Sequence, residues 1–220
     1  MPLHLRVELP DGPGALAQVT RALAAADADV LSVHVVERTA GRATDDFLLA
    51  WPTDTGLERL RTALAALPPG HRLLALRRVV AVPDENPALD LLTGALAQPQ
   101  RSVETLVDLV PSAAAADWAA VVARGATAKA VYTSAGAPTP LPALPGDLPR
   151  PVALLHEVGP LVSVPLPGTH LVLLAARTEG PAFLRREVAD LARLVQLAMA
   201  LVSAGSPAGA SAVTRRAVSG

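Results

Sequence analysis

The sequence contains no cysteine, which excludes disulfide bonds, thiolate zinc sites, iron–sulfur clusters and thiol catalysis. It has no isoleucine, a single lysine (Lys129), a single asparagine (Asn86) and only 2% aromatic residues. The codon usage of a GC-rich bacterial genome accounts for these scarcities. The abundance of alanine, leucine and valine therefore says little about function, although 51% hydrophobic against 18% charged residues predict a folded chain.

The sequence also has no excess of one charge sign and no long apolar run. The 19 Lys and Arg residues nearly balance the 20 Asp and Glu residues, which argues against a nucleic-acid partner. The apolar stretch 188–202 is interrupted by Asp190, Arg193 and Gln196, whereas a membrane span needs about 20 apolar residues. Residues 1–8 mix charged and apolar side chains, unlike a signal peptide. We expect a soluble, cytoplasmic protein with no membrane partner.

Patterns typical of catalysis and metal binding are also missing from the sequence. The five histidines show neither H-x-x-x-H nor H-E-x-x-H spacing, and there is no Gly-x-Ser-x-Gly or Walker motif. We therefore expect no metal, no cofactor and no catalytic residue, and hence a protein that is not an enzyme. His4 and His34 are interpreted as solvated imidazoles on an open sheet face, and the pair Asp45-Asp46 as part of a solvated surface.

The first 82 residues follow the order β-α-β-β-α-β. Leu3 to Leu9 alternates apolar and polar residues, as in a strand with one buried face. Thr55 and Glu58 have the spacing of a capping box at a helix start. The predicted elements are a strand over 3–9, a helix over 15–26, a hairpin of strands 30–37 and 47–51 around a turn over 41–46, a helix after 55 and a strand over 73–82.

A second unit begins at Asn86-Pro87, where the asparagine can cap a helix and the proline can occupy its first position. Helical segments are expected to about Pro111, and a long apolar stripe over 184–202 predicts a closing helix. Between them, strands are predicted over 117–123, 128–133, 161–166 and 170–176, with a mobile proline-rich loop over 134–151.

The N-terminal segment resembles an ACT domain, a small regulatory module that binds amino acids. The resemblance is carried by Asp11-Gly12-Pro13-Gly14-Ala15-Leu16, similar to the family's turn of an acidic residue or asparagine, any residue, proline, glycine and an aliphatic residue. Asp27-Ala28-Asp29-Val30 stands where the family usually has Gly-Ala-Asn-Ile, so Asp27 replaces the glycine and Asp29 the asparagine. The resemblance implies a ferredoxin-like βαββαβ domain.

This turn could hold a free amino acid. A helix N-terminus presents unpaired amides and a partial positive charge that suit a carboxylate, here from Gly14, Ala15 and Leu16, while Asp11 could hold the ammonium group. The resemblance implies that Asp29, Val30 and Leu31, often from a second subunit, complete the site. A structural interpretation stays open, in which Gly14 only permits a tight turn and Asp11 only caps the helix.

Gly12, Gly14 and Ala17 also match the Gly-x-Gly-x-x-Ala dinucleotide fingerprint after a strand, with Glu37 as an acidic residue ending the second strand. Pro13 would stiffen that phosphate-binding turn. The polar residues of the first strand would also have to be buried in a doubly covered parallel sheet. We therefore disfavour a dinucleotide site.

The second unit is similar to a shortened GAF domain, a sensory fold with a ligand pocket. Leu161-Val162-Ser163-Val164-Pro165-Leu166 resembles that family's Val-Pro-Leu strand, 170–176 its next strand and 183–201 its closing helix. The region that would line the pocket is reduced to the proline-rich loop. The resemblance is therefore compatible with a ligand-free dimerisation unit.

Together these patterns predict an α+β protein with an ACT-like amino-acid-binding domain over 1–82, a GAF-like domain over 83–202 and a disordered tail over 203–220. We expect a non-enzymatic regulatory or sensor protein that forms a homodimer, binds an amino acid and acts on a regulated protein partner. The alternative is an interaction scaffold whose two modules bind no ligand.

Overall fold

The computed structural model describes residues 1–52, 56–79, 86–124, 129–146, 148–178 and 180–205. The chain divides into two compact units, Met1–Val82 and Pro83–Gly220. Both units combine helices with an antiparallel sheet, as the α+β prediction requires. No helix among the described residues is both long and apolar enough to cross a membrane.

The N-terminal unit has the predicted order of elements. They are β1 (Pro2–Pro10), α1 (Ala15–Ala25), β2 (Asp29–Thr39), β3 (Arg42–Ala50), α2 (Glu58–Ala65) and β4 (Arg72–Arg78). The strands form one sheet in the order β2-β3-β1-β4, with every neighbouring pair antiparallel. This βαββαβ arrangement confirms the ferredoxin-like prediction and places β2 and β4 at the edges.

One face of this sheet carries the core. The alternation in β1 buries Leu3, Leu5, Val7 and Leu9 on that face, together with Phe47 and Leu49 of β3. Val19 and Leu23 of α1 and Leu60 and Leu64 of α2 pack against them. The antiparallel order also contradicts the dinucleotide interpretation, because that fold needs adjacent parallel strands, whereas β3 separates β1 from β2.

The β2–β3 turn is tighter than predicted. We expected a turn over 41–46 and a strand from Phe47 to Trp51, but β3 begins at Arg42, and Ala40 and Gly41 alone form the turn. Both turn residues have left-handed backbones, with φ of 52° and 74°, as in the two-residue turns that suit twisted hairpins. The two aspartates in 41–46 therefore lie in the sheet.

The second helix and the last strand agree with the predictions over part of their length. Thr55, the first residue of the expected capping box, lies outside the described residues, and α2 begins at Glu58 with Leu57 as its N-cap. Strand β4 spans 72–78, where a strand over 73–82 was expected, and residues 80–82 are again outside the described part.

The C-terminal unit contains a five-stranded antiparallel sheet covered by helices. Its elements are α3 (Pro87–Ala97), a short 3-10 helix (Pro99–Arg101), α4 (Ser102–Ala113), β5 (Trp118–Ala123), β6 (Lys129–Thr133), β7 (Val152–His156), β8 (Gly159–Pro165), β9 (Leu171–Ala176) and α5 (Arg185–Gly205). The strand order is β6-β5-β9-β8-β7. The side chain of Asn86 accepts a hydrogen bond from the Leu89 amide at 3.2 Å, which confirms the predicted cap.

Three features of this unit differ from the predictions. Strand β7 was not predicted, because its five residues form a short apolar run at a sheet edge. Helix α5 continues to Gly205, into the segment expected to be a tail, while 206–220 lie outside the described residues. The described part of the loop over 134–151 is irregular as predicted, but it is packed, because its Leu141 and Leu144 contact a small core on the outer face of the sheet.

A buried arginine fixes the start of α5. Arg177 is 2% exposed and donates to the carbonyls of Ala114, Ala115 and Pro181, at 3.0–3.1 Å, and to Glu187 at 2.5 Å. Its guanidinium also stacks 4.0 Å from the centre of the Phe183 ring. These contacts satisfy a charge that would otherwise be costly to bury.

Candidate functional site

The turn between β1 and α1 is the local structure on which the predicted ligand site depends. The Asp11 amide donates to the Gly41 carbonyl at 2.9 Å, which fastens the turn to the β2–β3 hairpin. Gly14 is the N-cap of α1 and has φ of 87°. A Cβ there would meet no atom within 4 Å, so the need for glycine comes from backbone conformation and not from crowding.

The first amides of α1 are partly available to a ligand. The Ala15 amide donates to Gly12 at 3.3 Å, so of the predicted amide donors this one is already engaged. In the described part of the chain, the amides of Leu16 and Ala17 have no acceptor. These are unpaired donors at the positive end of a helix, where an anion is favoured.

Asp11 does not cap this helix. Its carboxylate Oδ1 lies 3.6 Å from Nε of Arg38, and α1 has no side-chain cap. Both side chains of this pair are well exposed, at 36% and 64%, so the ion pair is weak. The carboxylate therefore accepts no hydrogen bond from the first amides of α1.

The remaining predicted site residues lie at the other end of the sheet. Asp29 and Val30 pair with Ala50 and Leu49 of β3, near the start of β1, whereas Asp11 follows the end of β1. The structure therefore brings Asp11, Gly14, Ala15 and Leu16 together but separates them from Asp29, Val30 and Leu31 within one chain.

The edge strand β2 is irregular and exposes apolar side chains. The register with β3 shifts between Val30 and Ser32, which leaves Leu31 in a bulge, and shifts again between Val35 and Glu37. Leu31 is 45% and Val33 41% exposed. The regular alternation expected for this strand is therefore interrupted, and its edge is open to another strand.

The departure of Asp27 from the ACT pattern has a visible consequence. Asp27 follows α1 with a left-handed backbone, φ 60°, a conformation that favours glycine. Its carboxylate pairs with Nη1 of Arg59 at 2.6 Å, and Nη2 of Arg59 donates to the Ala25 carbonyl at 2.9 Å. The aspartate thus keeps the backbone shape of the family's glycine and links the end of α1 to α2.

The prediction that Asp46 and His4 are solvated is wrong. Arg6, only 1% exposed, donates through Nε to Asp46 Oδ1 and through Nη2 to Oδ2, both at 2.6 Å. His4 Nε2 lies 3.1 Å from the same Oδ2. Burial alone would raise the pKa of Asp46, but the hydrogen bonds from Arg6 and the close approach of His4 outweigh it and hold the pKa well below its usual range. His34 pairs with Asp46 in the register and is exposed, as expected.

Asp45 was also expected to be solvated, and it is 3% exposed. It alternates with Ala43 and Phe47, so it lies on the core face of β3, and its register partners are Val7 and Val35. No donor in the described residues reaches its Oδ1. Burial raises its pKa; Arg38 lowers it, whereas Asp46 and Asp11 raise it further. In the sequence, the one sign that Asp45 is buried is its position, where the alternation of the strand calls for an apolar residue. That sign appears only when the strand is taken to begin at Arg42.

An apolar groove lies between β7 and α5 of the C-terminal unit. It has a volume of about 530 Å³ and is lined chiefly by Val152 and Ala153 of β7, Val188 and Ala192 of α5, and Phe183. In the described residues no group of three or more His, Asp or Glu side chains could hold a metal ion. The groove therefore offers apolar contacts without a cluster of polar groups.

Comparison with known proteins identifies the N-terminal segment. The sequence model of the ACT domain matches residues 4–69. No curated protein matches the chain. An ACT domain is generally a small-ligand regulatory domain, which supports a regulatory role.

Three solved structures show weak similarity. A formyltetrahydrofolate deformylase from Pseudomonas putida KT2440 is 21% identical with a TM-score of 0.33, over 46% of this chain and 38% of its own length. A protein from Galdieria sulphuraria is 15% identical with a TM-score of 0.33, over 92% and 91% of the two chains. A GAF domain from Pseudomonas syringae pv. tomato is 16% identical with a TM-score of 0.40, over 59% and 92%. Because all three scores are 0.40 or lower, the family assignment depends on the match to residues 4–69.

Proposed function

From the ACT domain that residues 4–69 form, we propose that this is a non-enzymatic regulatory protein that binds a free amino acid between two subunits of a homodimer. The observation that carries the proposal is the α1 turn. That turn carries both the exposed carboxylate of Asp11 and, five and six residues later, the unpaired amides of Leu16 and Ala17. An α-carboxylate suits the amides, and an α-ammonium suits Asp11.

The sheet order supplies the reason for a second subunit. Strand β2 is an edge strand, and its last residues lie near Asp11, since Arg38 contacts that carboxylate. If two β2 edges pair antiparallel about a two-fold axis, the start of the partner strand comes beside the end of this one. The partner subunit's Asp29, Val30 and Leu31 would then close the site over Asp11. The same pairing covers the exposed Leu31 and Val33.

In this proposal the ligand acts by shifting a population. A molecule held across the interface binds the paired arrangement and not the separate subunits, so it stabilises that arrangement. The regulated output is contact with a partner protein.

The alternative is a ligand-free interaction scaffold, and one observation favours it for the second unit. Leu141 and Leu144 of the loop over 134–151 pack on the outer face of the C-terminal sheet, where a sensory pocket would otherwise have room. A scaffold would keep its partner contacts in Asp11→Ala, whereas an amino-acid sensor would lose its response.

Thermal unfolding of the full chain with each of the twenty amino acids tests the proposal. A ligand that binds only the folded state adds RT ln(1 + [L]/Kd), about 2.7 kcal/mol at a hundredfold excess over Kd. Trp51 is buried in the N-terminal unit, so Trp118→Phe in all samples makes its fluorescence specific for that unit. We expect one amino acid to raise the unfolding temperature, and we expect Asp11→Ala to abolish this rise. The control Asp90→Ala, an exposed carboxylate on α3, should keep it.

No shift with any amino acid at millimolar concentration would contradict the ligand site and leave the scaffold. A shift that survives Asp11→Ala would place the ligand elsewhere. Light scattering on the same samples tests the dimer, since the proposal requires that the responding species contain two chains.

A further inference from the structure

The groove between β7 and α5 follows one stripe of the closing helix. Arg185, Val188, Ala189 and Ala192 line it, and their helical spacing places them on one side of α5. Two of these four residues are alanines, and their small side chains leave room beside the strand. The resulting volume of about 530 Å³ is within the range of small-molecule sites, about 300–1,000 Å³.

The strand side of the groove is apolar and lies at the edge of the sheet. Val152 and Ala153 of β7 line it, and β7 is the last strand in the order of the sheet. Leu155 is two positions after Ala153, so it lies on the same face, and it is 84% exposed. The packed loop leaves this side open, because its Leu141 and Leu144 contact the outer face of the sheet. A ligand can therefore reach the groove from the β7 edge.

The charge at the groove is positive. Among the described residues that line it, Arg185 is the one charged side chain. Arg186 and Arg193 on the same helix both pair with Asp190, whereas Arg185 pairs with no carboxylate in the part of the chain that the structure describes. The groove therefore combines apolar walls with one cation that lacks a counterion.

The start of α5 adds to this positive charge. The helix begins at Arg185, and within the described ranges the amides of Arg185 and Arg186 have no acceptor. Glu187, the acidic residue of the first turn, is already engaged by Arg177 and by the Leu184 amide. The positive end of α5 therefore meets the groove at Arg185, where an anion is favoured.

We propose that this groove binds a straight-chain aliphatic carboxylate, with its chain along Val188 and Ala192 and its carboxylate at Arg185. From Arg185 to Ala192 the helix rises about 10 Å, close to the length of an extended chain of about eight carbons. Burial of the methylene groups supplies the affinity, and the arginine and the helix end select the acid. This site lies in the second unit and is independent of the amino-acid site proposed at the α1 turn.

Calorimetric titrations of the full-length protein at pH 7.5 test the chain and the head group. With butanoate, hexanoate, octanoate and decanoate, we expect the affinity to rise about two- to fourfold for each methylene up to octanoate, and to change little beyond it. Octanamide is the neutral isostere of octanoate. We expect octanoate to bind about three- to tenfold more tightly than octanamide, a modest factor because Arg185 is exposed.

Two pairs of variants on α5 locate the site. Ala189→Phe places a large side chain in the groove at an exposed position and should abolish octanoate binding, whereas Ala200→Phe, exposed on the same helix outside the groove, should keep it. Arg185→Gln should lower the preference for octanoate over octanamide to about twofold or less. Arg193→Gln removes an exposed arginine that does not line the groove and should leave that preference unchanged.

Three results would overturn the inference. Equal binding of octanoate and octanamide by the wild type would remove the role of Arg185. Octanoate binding that survives Ala189→Phe would place the carboxylate elsewhere in the chain. No binding of any compound would leave the groove without this ligand, and a change in the number of chains per particle in Ala189→Phe, measured by light scattering, would then assign the groove to a contact between copies.

The wild-type chain-length series and the octanamide comparison need no variant, so the inference stays testable if Ala189→Phe folds poorly. The outcomes are also separate from the proposed function, because the amino-acid response is measured with Asp11→Ala in the other unit. Loss of octanoate binding in Ala189→Phe should leave that response unchanged.

Discussion

Replacing Asp45 with valine is expected to stabilise the N-terminal unit at neutral pH. The side chain is 3% exposed, its Oδ1 has no donor in the described residues, and its register partners are Val7 and Val35. A buried acceptor without a partner costs about 1–3 kcal/mol, and valine fits a pleated core face. We expect the free energy of unfolding to rise by about 1–3 kcal/mol at pH 7.

The gain should depend on pH in one direction. Burial, partly opposed by Arg38, raises the pKa of Asp45 above its usual value of 3.8 in the folded state. Between these two pKa values the folded state binds more protons than the unfolded state, so rising pH destabilises the wild type through that window. The advantage of Asp45→Val should therefore be smallest below pH 3.8 and full above the folded-state pKa.

Urea unfolding followed by Trp51 fluorescence measures the free energy of unfolding at each pH. Every protein carries Trp118→Phe, so that the signal reports on the N-terminal unit. The control Asp29→Val changes an exposed carboxylate in β2 and should stay within about 0.5 kcal/mol of the wild type. A loss of more than about 1 kcal/mol in Asp45→Val at pH 7 would show that the carboxylate is well paired, which would refute the reasoning.

Two backbone predictions concern left-handed positions. Asp27→Gly should raise the free energy of unfolding by about 0.5–1 kcal/mol, because glycine removes the backbone strain at φ 60° and this exceeds the loss of an exposed ion pair with Arg59. Asp27→Ala keeps the backbone strain, so a higher free energy of unfolding for that variant in urea would contradict the reasoning. Gly159→Ala should cost about 3 kcal/mol or more, since φ is 104° and a Cβ would lie 2.2 Å from the Arg177 carbonyl oxygen. Gly146→Ala is the control: φ is 87° and no atom lies within 4 Å of its Cβ, so it measures the cost of the backbone conformation alone, about 1–2 kcal/mol. Equal thermal midpoints for Gly159→Ala and Gly146→Ala would exclude the clash.

The sequence allowed prediction where a pattern is local. The alternation of β1, the helical spacing of α1 and the Asn86 cap each depend on residues within a few positions, and all three are confirmed. The turn from Asp11 to Gly14 is local too, so its place between β1 and α1 was predictable.

The failures involve partners that are distant in sequence. Asp45-Asp46 resembles a turn because aspartate is rare in strands, yet Asp46 is held by Arg6, which is 40 positions away. Likewise, the separation of Asp29 from Asp11 follows from the order β2-β3-β1, which no short window of sequence contains. Strand β7 is short and at an edge, so its pairing with β8 and not its own sequence defines it.

The separation of Asp11 from Asp29 has a thermodynamic consequence for the proposed function. A site completed by the partner subunit's Asp29 does not exist in a monomer, so ligand binding and dimerisation must favour each other by the same factor. The apparent affinity for the ligand should then rise with protein concentration until dimers predominate. A site confined to the α1 turn of one chain would give an affinity independent of protein concentration. Titrations at several protein concentrations therefore distinguish a shared site from a local one without any substitution.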